Sequence, residues 1–154
     1  MHHKRIAAAA ATALAVAVTP AFAAEQGAPA KTATPLASAV VAKDKASAKL
    51  KVRYSCKTGE TLWISLKQTK SGKKSKALKA EGSSEAAAAW WQSHRNPIKC
   101  DGAKHTKKFT VDKVEEGSKG TLRKGQAWLQ FCVTKGEGED AQLTVSVAKW
   151  VSVK

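Results

Sequence analysis

Acidic side chains are scarce in this chain: 12 Asp and Glu stand against 27 Lys and Arg, a formal net charge of +15 over 154 residues. An excess of that size keeps a protein soluble and draws it to polyanions, but it carries no information about the fold. Histidine is scarcer still. Past residue 23 only His94 and His105 remain, with no Cys, Asp or Glu clustered at metal-ligand spacing, so neither a metal nor a cofactor is expected. The chain has no Gly-rich phosphate loop and no nucleophile-elbow pattern, so it is not expected to be an enzyme and no catalytic residue is assigned. No cysteine precedes residue 24, which excludes a lipid-modified cysteine at an N-terminal cleavage site, and no internal repeat is present.

What is there begins with Met1-His2-His3-Lys4-Arg5, an apolar run from Ile6 to Val18, the break Thr19-Pro20, and Ala21-Phe22-Ala23. A basic start, an apolar middle and a small-x-small exit make residues 1–23 a secretory signal peptide. A membrane-spanning helix needs about 20 apolar residues. This run is shorter and closed by proline, so the mature chain is expected to be secreted and extracellular, with no transmembrane segment. Residues 24–48 are Ala, Pro, Thr, Ser and Lys with almost nothing bulky, a composition that predicts a disordered linker. Leu36 and Val40-Val41 are its only docking points.

Residues 49–154 read as one all-β domain, an antiparallel sandwich. Leu50, Val52, Tyr54 and Cys56 alternate with Lys49, Lys51, Arg53 and Ser55, the period of a half-buried strand. Leu62, Ile64, Leu66 and Gln68 repeat the pattern, as do Phe109 and Val111, then Ala127, Leu129, Phe131 and Val133, then Leu143, Val145 and Val147. Turn residues separate these runs at Lys57–Glu60, Asp101-Gly102, Glu115–Gly120 and Gly136–Asp140. Between the second and third strands, Lys70, Lys73, Lys74, Lys76 and Lys79 crowd an exposed loop or hairpin over residues 69–82, around Gly72 and Gly82. The stretch Glu85–Gln92, with Ser84 as cap and Asn96-Pro97 as stop, predicts a short helix.

All three cysteines lie in the expected secreted part, where a disulfide is favoured. Parity selects the pair. Cys56 follows Val52 and Tyr54 inward and Cys100 follows Ile98 inward, whereas Cys132 lies opposite Leu129 and Phe131. A Cys56–Cys100 bridge is therefore expected. Cys132 is left as a half-buried thiol, with a cross-chain disulfide and a dimer as the alternative. Trp63, Trp128 and Trp150 fall on the outer side of their strands. They cap the sheet or pair across strands, or they form a strip for stacking on sugar rings. Trp90-Trp91 cannot both enter one core from a regular element, so at least one ring is expected at the surface or an interface.

The segments Tyr54-Ser55-Cys56, Leu66-Lys67-Gln68, Cys100-Asp101-Gly102 with His105, and Gly125-Gln126-Ala127 before an alternating strand resemble a group of small secreted actinobacterial proteins. The resemblance spans roughly residues 50 to 150. It implies an immunoglobulin-like β-sandwich, no established activity, and the same Cys56–Cys100 disulfide. Two features depart from the group: the segment Ser83–Asn96 with its tryptophan pair, and Cys132. The antibody arrangement of Cys, Trp and Cys is not met either, because Trp63 follows Cys56 too closely.

Charge, tryptophans and the lack of a catalytic pattern together imply binding. The expected partner is an anionic cell-wall polymer or an extracellular protein, met through the lysines at 70, 73, 74, 76 and 79 and through Trp90-Trp91. Sequence-specific nucleic-acid recognition is not expected. The runners-up are a secreted protease or hydrolase inhibitor and a carbohydrate-binding module built on the outer tryptophans.

Overall fold

Alternation of side chains from Ser47 onward becomes strand structure almost wherever it is predicted. The computed structural model describes residues 32–80, 82–136 and 140–154. The expected signal peptide, residues 1–23, and the first part of the expected linker, residues 24–31, lie outside the described residues. Among the described residues the strands are β1 (Ala33–Pro35), β2 (Val40–Val41), β3 (Ser47–Ser55), β4 (Thr61–Gln68), β5 (Ala89–Ser93), β6 (Lys104–Asp112), β7 (Gly125–Lys135) and β8 (Gln142–Val153). A 3-10 turn spans Lys76–Lys79.

The strands form one antiparallel sheet in the order β1-β3-β6-β5-β4-β7-β8, with β2 also paired to β3. The sheet is nearly closed into a barrel, where the sequence predicts two stacked sheets. Two seams differ from the rest. Between β5 and β6 the only register pair is Gln92 with Asp112. There the Asn96 side chain takes over as a backbone surrogate, its Nδ2 donating to the Thr110 carbonyl at 2.8 Å and its Oδ1 accepting from the Thr110 N–H at 2.9 Å. At the other seam the segment around β2 meets the end of β8 in parallel through an Ala39–Val153 bridge.

That second seam corrects the linker expectation for residues 32–48. Ala39 N–H donates to the Ser152 carbonyl, Val41 N–H to that of Lys154, and Lys154 N–H to that of Ala39. Ala33, Ala39 and Ala48 are buried. Composition alone judges a segment by its bulky side chains, but backbone bonds that complete a sheet need none, and small residues suit the close approach. Of the expected docking points only Val41 packs on the core, while Leu36 and Val40 stay exposed.

The helix expected over 85–92 is also corrected. Residues Ala89–Ser93 are β5, paired to β4 with Trp91 opposite Leu66. A helix of that length is marginal alone, since isolated helices below about 12–15 residues are unstable in water. Burying Trp91 against β4 outweighs the helical preference of the alanines. The core fills the barrel with Leu50, Val52, Ile64, Leu66, Leu129 and the aromatic rings of Tyr54, Trp91, Phe109 and Phe131. The Phe109 and Phe131 rings meet edge to face at 5.4 Å, and Tyr54 lies 5.7 and 5.9 Å from them.

Cys56 and Cys100 are bridged, with Cα atoms 4.7 Å apart and a sequence separation of 44. Strand parity is sufficient to pick that pair. Among the described residues no helix is long and apolar enough to cross a membrane.

Candidate functional site

The lysine-rich connection from β4 to β5 is folded onto the barrel. Thr69 Oγ1 donates to the Lys73 carbonyl at 2.9 Å, and the Gly72 carbonyl accepts from Gln126 N–H at 2.7 Å. Gly72 takes a φ of +66°, and a Cβ there would sit 3.1 Å from the Lys124 carbonyl, so glycine permits this close approach. Ser75 caps the 3-10 turn and Leu78 is buried, although it lies outside the main core cluster. Lys70, Lys73, Lys74, Lys76 and Lys79 all remain exposed, and Lys79 Nζ rests 5.3 Å from the Trp128 ring centroid. None of the five forms an ion pair among the described residues.

Beneath this connection lies a group that sequence reasoning misses. Lys67 is only 4% exposed, and its ammonium donates to Ser83 Oγ at 3.0 Å. Ser83 in turn donates to the Leu78 carbonyl at 3.0 Å, and the Trp90 ring centroid lies 5.6 Å from Nζ. Burial pushes the Lys67 ammonium below its ordinary pKa. A Ser–Lys pair is a nucleophile arrangement in principle, but here both side chains are buried and the hydroxyl is committed to a carbonyl. Beside it, the fully buried Gln68 holds the segment before β7, donating to the Arg123 carbonyl and accepting from its N–H, both at 2.8 Å.

β5 separates the two neighbouring tryptophans. Trp91 is completely buried and donates to the Gly120 carbonyl at 3.2 Å, so it is a core residue and is withdrawn from any contact surface. Trp90 points outward and is half-buried, held by paired backbone bonds to Lys119. The outer parity of Trp63, Trp128 and Trp150 is as expected, and each is half-buried. Trp128 and Trp150 meet at 5.1 Å with planes 60° apart, an edge contact rather than a flat platform. Trp63 is held apart from them, its Nε1 donating to Gln92 Oε1 at 3.0 Å and its ring 6.4 Å from that of His94. Cys132 is free, half-buried, and in register with Trp63 on one side and Ser146 on the other. Burial pushes its thiol pKa up.

His94 and His105 each find a carboxylate. His94 Nδ1 lies 2.7 Å from Glu115 Oε2, and His105 Nε2 lies 2.7 Å from Asp101 Oδ1. His105, Lys99 and the Ala103 N–H together hold the Asp101 carboxyl well below the usual carboxylate range. No serine or cysteine is hydrogen-bonded to either ring among the described residues, so neither pair is completed by a nucleophile. Among the described residues no group of three or more His, Cys, Asp or Glu is placed to hold a metal ion. In comparisons with known proteins, the chain matches no family model, no curated sequence and no solved structure.

Proposed function

We propose that the chain is a secreted, non-enzymatic binding protein of the bacterial cell envelope or extracellular space, whose basic surface contacts anionic polymers. The observation that carries this reading is the lack of compensation for its cations. Ion pairs among the described residues engage only Arg95, Lys99 and the two histidines, while the lysines from 70 to 79 stand exposed without a carboxylate. A folded connection that displays cations is a fixed electrostatic surface. Retention on immobilised polyphosphate or heparin should fall by orders of magnitude between about 50 and about 200 mM salt, as counterion release demands for several phosphate contacts. No retention at low salt, or retention indifferent to salt, removes the reading.

The immunoglobulin-like sandwich, and with it the likeness to small secreted actinobacterial proteins, draws support from strand order. The two sparse seams divide the strands into β1-β2-β3-β6 and β5-β4-β7-β8, whose inner faces meet at Phe109 and Phe131. The Cys56–Cys100 disulfide is compatible with export. Culture-supernatant protein beginning at Ala24 by mass spectrometry would support the signal-peptide reading, and an intact membrane-held chain would overturn it.

The alternatives have less support. A sugar platform needs coplanar rings, and Trp128 and Trp150 are edge to face. An inhibitor needs a rigid loop for an enzyme cleft, and the disulfide braces the segment at Cys100 rather than the lysine loop. A dimer through Cys132 would use a half-buried thiol of raised pKa, a poor partner for exchange.

A further inference from the structure

The outer face of β3 and β6 carries a second set of cations, fixed on strands. β3 contributes Lys49, Lys51 and Arg53, and β6 contributes Lys104 and Lys108, all exposed. Register places Lys51 directly opposite Lys108, with Thr110 opposite Lys49 and Thr106 opposite Arg53. Like charges facing each other across antiparallel strands destabilise the pairing. Among the described residues none of the five forms an ion pair with a carboxylate that would relieve them. The fold gains nothing from this arrangement, so a ligand is the simplest reason for it.

The face is also concave. β2 pairs with β3 at its edge, Val40 beside Lys49, and Ala37, Val40 and Ala42 line with Lys49, Lys51 and Lys108 a groove of about 430 Å³, apolar along the β2 side. Val40 is 56% exposed on that side because its neighbour Val41 packs on the core, and successive strand residues point to opposite faces. Along β3 the cations recur every second residue, about 7 Å apart at a strand rise of about 3.4 Å. The outward residues of β3 and β6 include no aromatic ring.

We propose that this groove is a binding site for a linear phosphodiester polymer with a saturated, non-aromatic backbone. Each element of the groove matches one feature of such a chain. Lysine ammonium groups act as point charges suited to singly charged phosphates, whereas bidentate recognition of planar anions favours Arg. The regular spacing along β3 suits one charge per repeat. The apolar side accommodates methylene and methine groups between phosphates. Absence of aromatics from the face leaves nothing for nucleobases to stack on, which separates this ligand from single-stranded nucleic acid. The inference rests on the polyanion reading above and adds a location and a ligand class to it.

The test uses synthetic poly(glycerol phosphate), titrated into the protein and into two variants that lose the same charge. One is Lys49→Gln/Lys51→Gln/Lys108→Gln on the sheet face, and the other is Lys70→Gln/Lys73→Gln/Lys76→Gln in the loop. The sheet-face variant should lose at least about tenfold in affinity, and its slope of log affinity on log salt should shallow by about 2, since each lost contact on a single strand removes about 0.7. The loop variant should change affinity less than the sheet-face variant by a wide margin. Equal losses would mean net charge alone acts, and a loss confined to the loop variant would place the site there. Either result overturns the groove while leaving the polyanion reading intact. Failure of the wild-type protein to bind any polyanion removes both. Tighter binding of an oligodeoxynucleotide or heparin at equal charge overturns the ligand class, as does binding only to anionic lipid vesicles. The sheet-face variant should keep or raise its melting temperature, because the Lys51–Lys108 repulsion is gone. Should it unfold, Lys108→Gln and Lys49→Gln are titrated singly under the same criteria.

Discussion

Lys67 shows how a single residue is decided by what lies over it. Its outer position on β4 marks it for solvent, yet the connection carrying Ser83 and the Trp90 ring close above it. Replacing a buried charge by an apolar side chain of similar length is often neutral or stabilising, so Lys67→Met should raise unfolding stability by about 1 kcal/mol in urea titrations. A loss of several kcal/mol would show that the Ser83 contact outweighs desolvation. The sign of the pH effect follows from the direction of the shift. With the folded-state pKa below the ordinary lysine value, the unfolded chain holds more protons between the two, and stability rises with pH across that window. Lys67→Met should abolish that slope. Parity reads the disulfide pair correctly because both cysteines face the core. It cannot read Lys67 or the hydrogen bonds of Gln68, which depend on segments distant in sequence.

At the scale of elements, long alternating runs are legible and short partnered ones are not. β3, β4, β6, β7 and β8 follow from period alone, since each carries at least two inward apolar residues. β1, β2 and β5 are short, and their place is set by neighbours contributed from elsewhere in the chain. β5 gives the clearest test. Trp91→Ala empties a core position and should cost about 3–5 kcal/mol. Trp90→Ala uncovers only a half-buried ring and should cost less than about 2 kcal/mol. Similar costs for the two would mean that the ring packed between Gly117 and Lys67 matters as much as the core ring. The same separation explains why the tryptophan pair misleads as a site: adjacency suggests one patch, whereas a strand divides its two members between inside and outside.

For the molecule as a whole, the disulfide and the β1–β2 segment add long-range restraints to the strand pairings. Cys56→Ala/Cys100→Ala releases a loop closed across a sequence separation of 44. It should lower stability by about 2–4 kcal/mol by the chain-entropy account, measured by denaturant unfolding. An unchanged midpoint would mean that the barrel already restrains these ends. Charge is distributed over the same frame in an ordered way. Cations without aromatics occupy the outside of β3 and β6, and four half-buried tryptophans occupy the outside of β5, β4, β7 and β8. The overall excess is plain in composition, but its division between faces depends on which strands become neighbours.

The parallel meeting of the β2 segment with the end of β8 has a mechanical consequence. If tension is applied at Thr32 and Lys154, the two strands are pulled in opposite directions along their length. The three backbone bonds joining Ala39, Val41, Ser152 and Lys154 are then loaded together in shear, instead of opening one after another like a zip. Forced unfolding is set by the unfolding rate, so bonds that must break together raise resistance to load. Val41→Pro removes one of the donors and should lower the rupture force in single-molecule pulling between those two positions. An unaltered force would place the mechanical barrier elsewhere in the barrel.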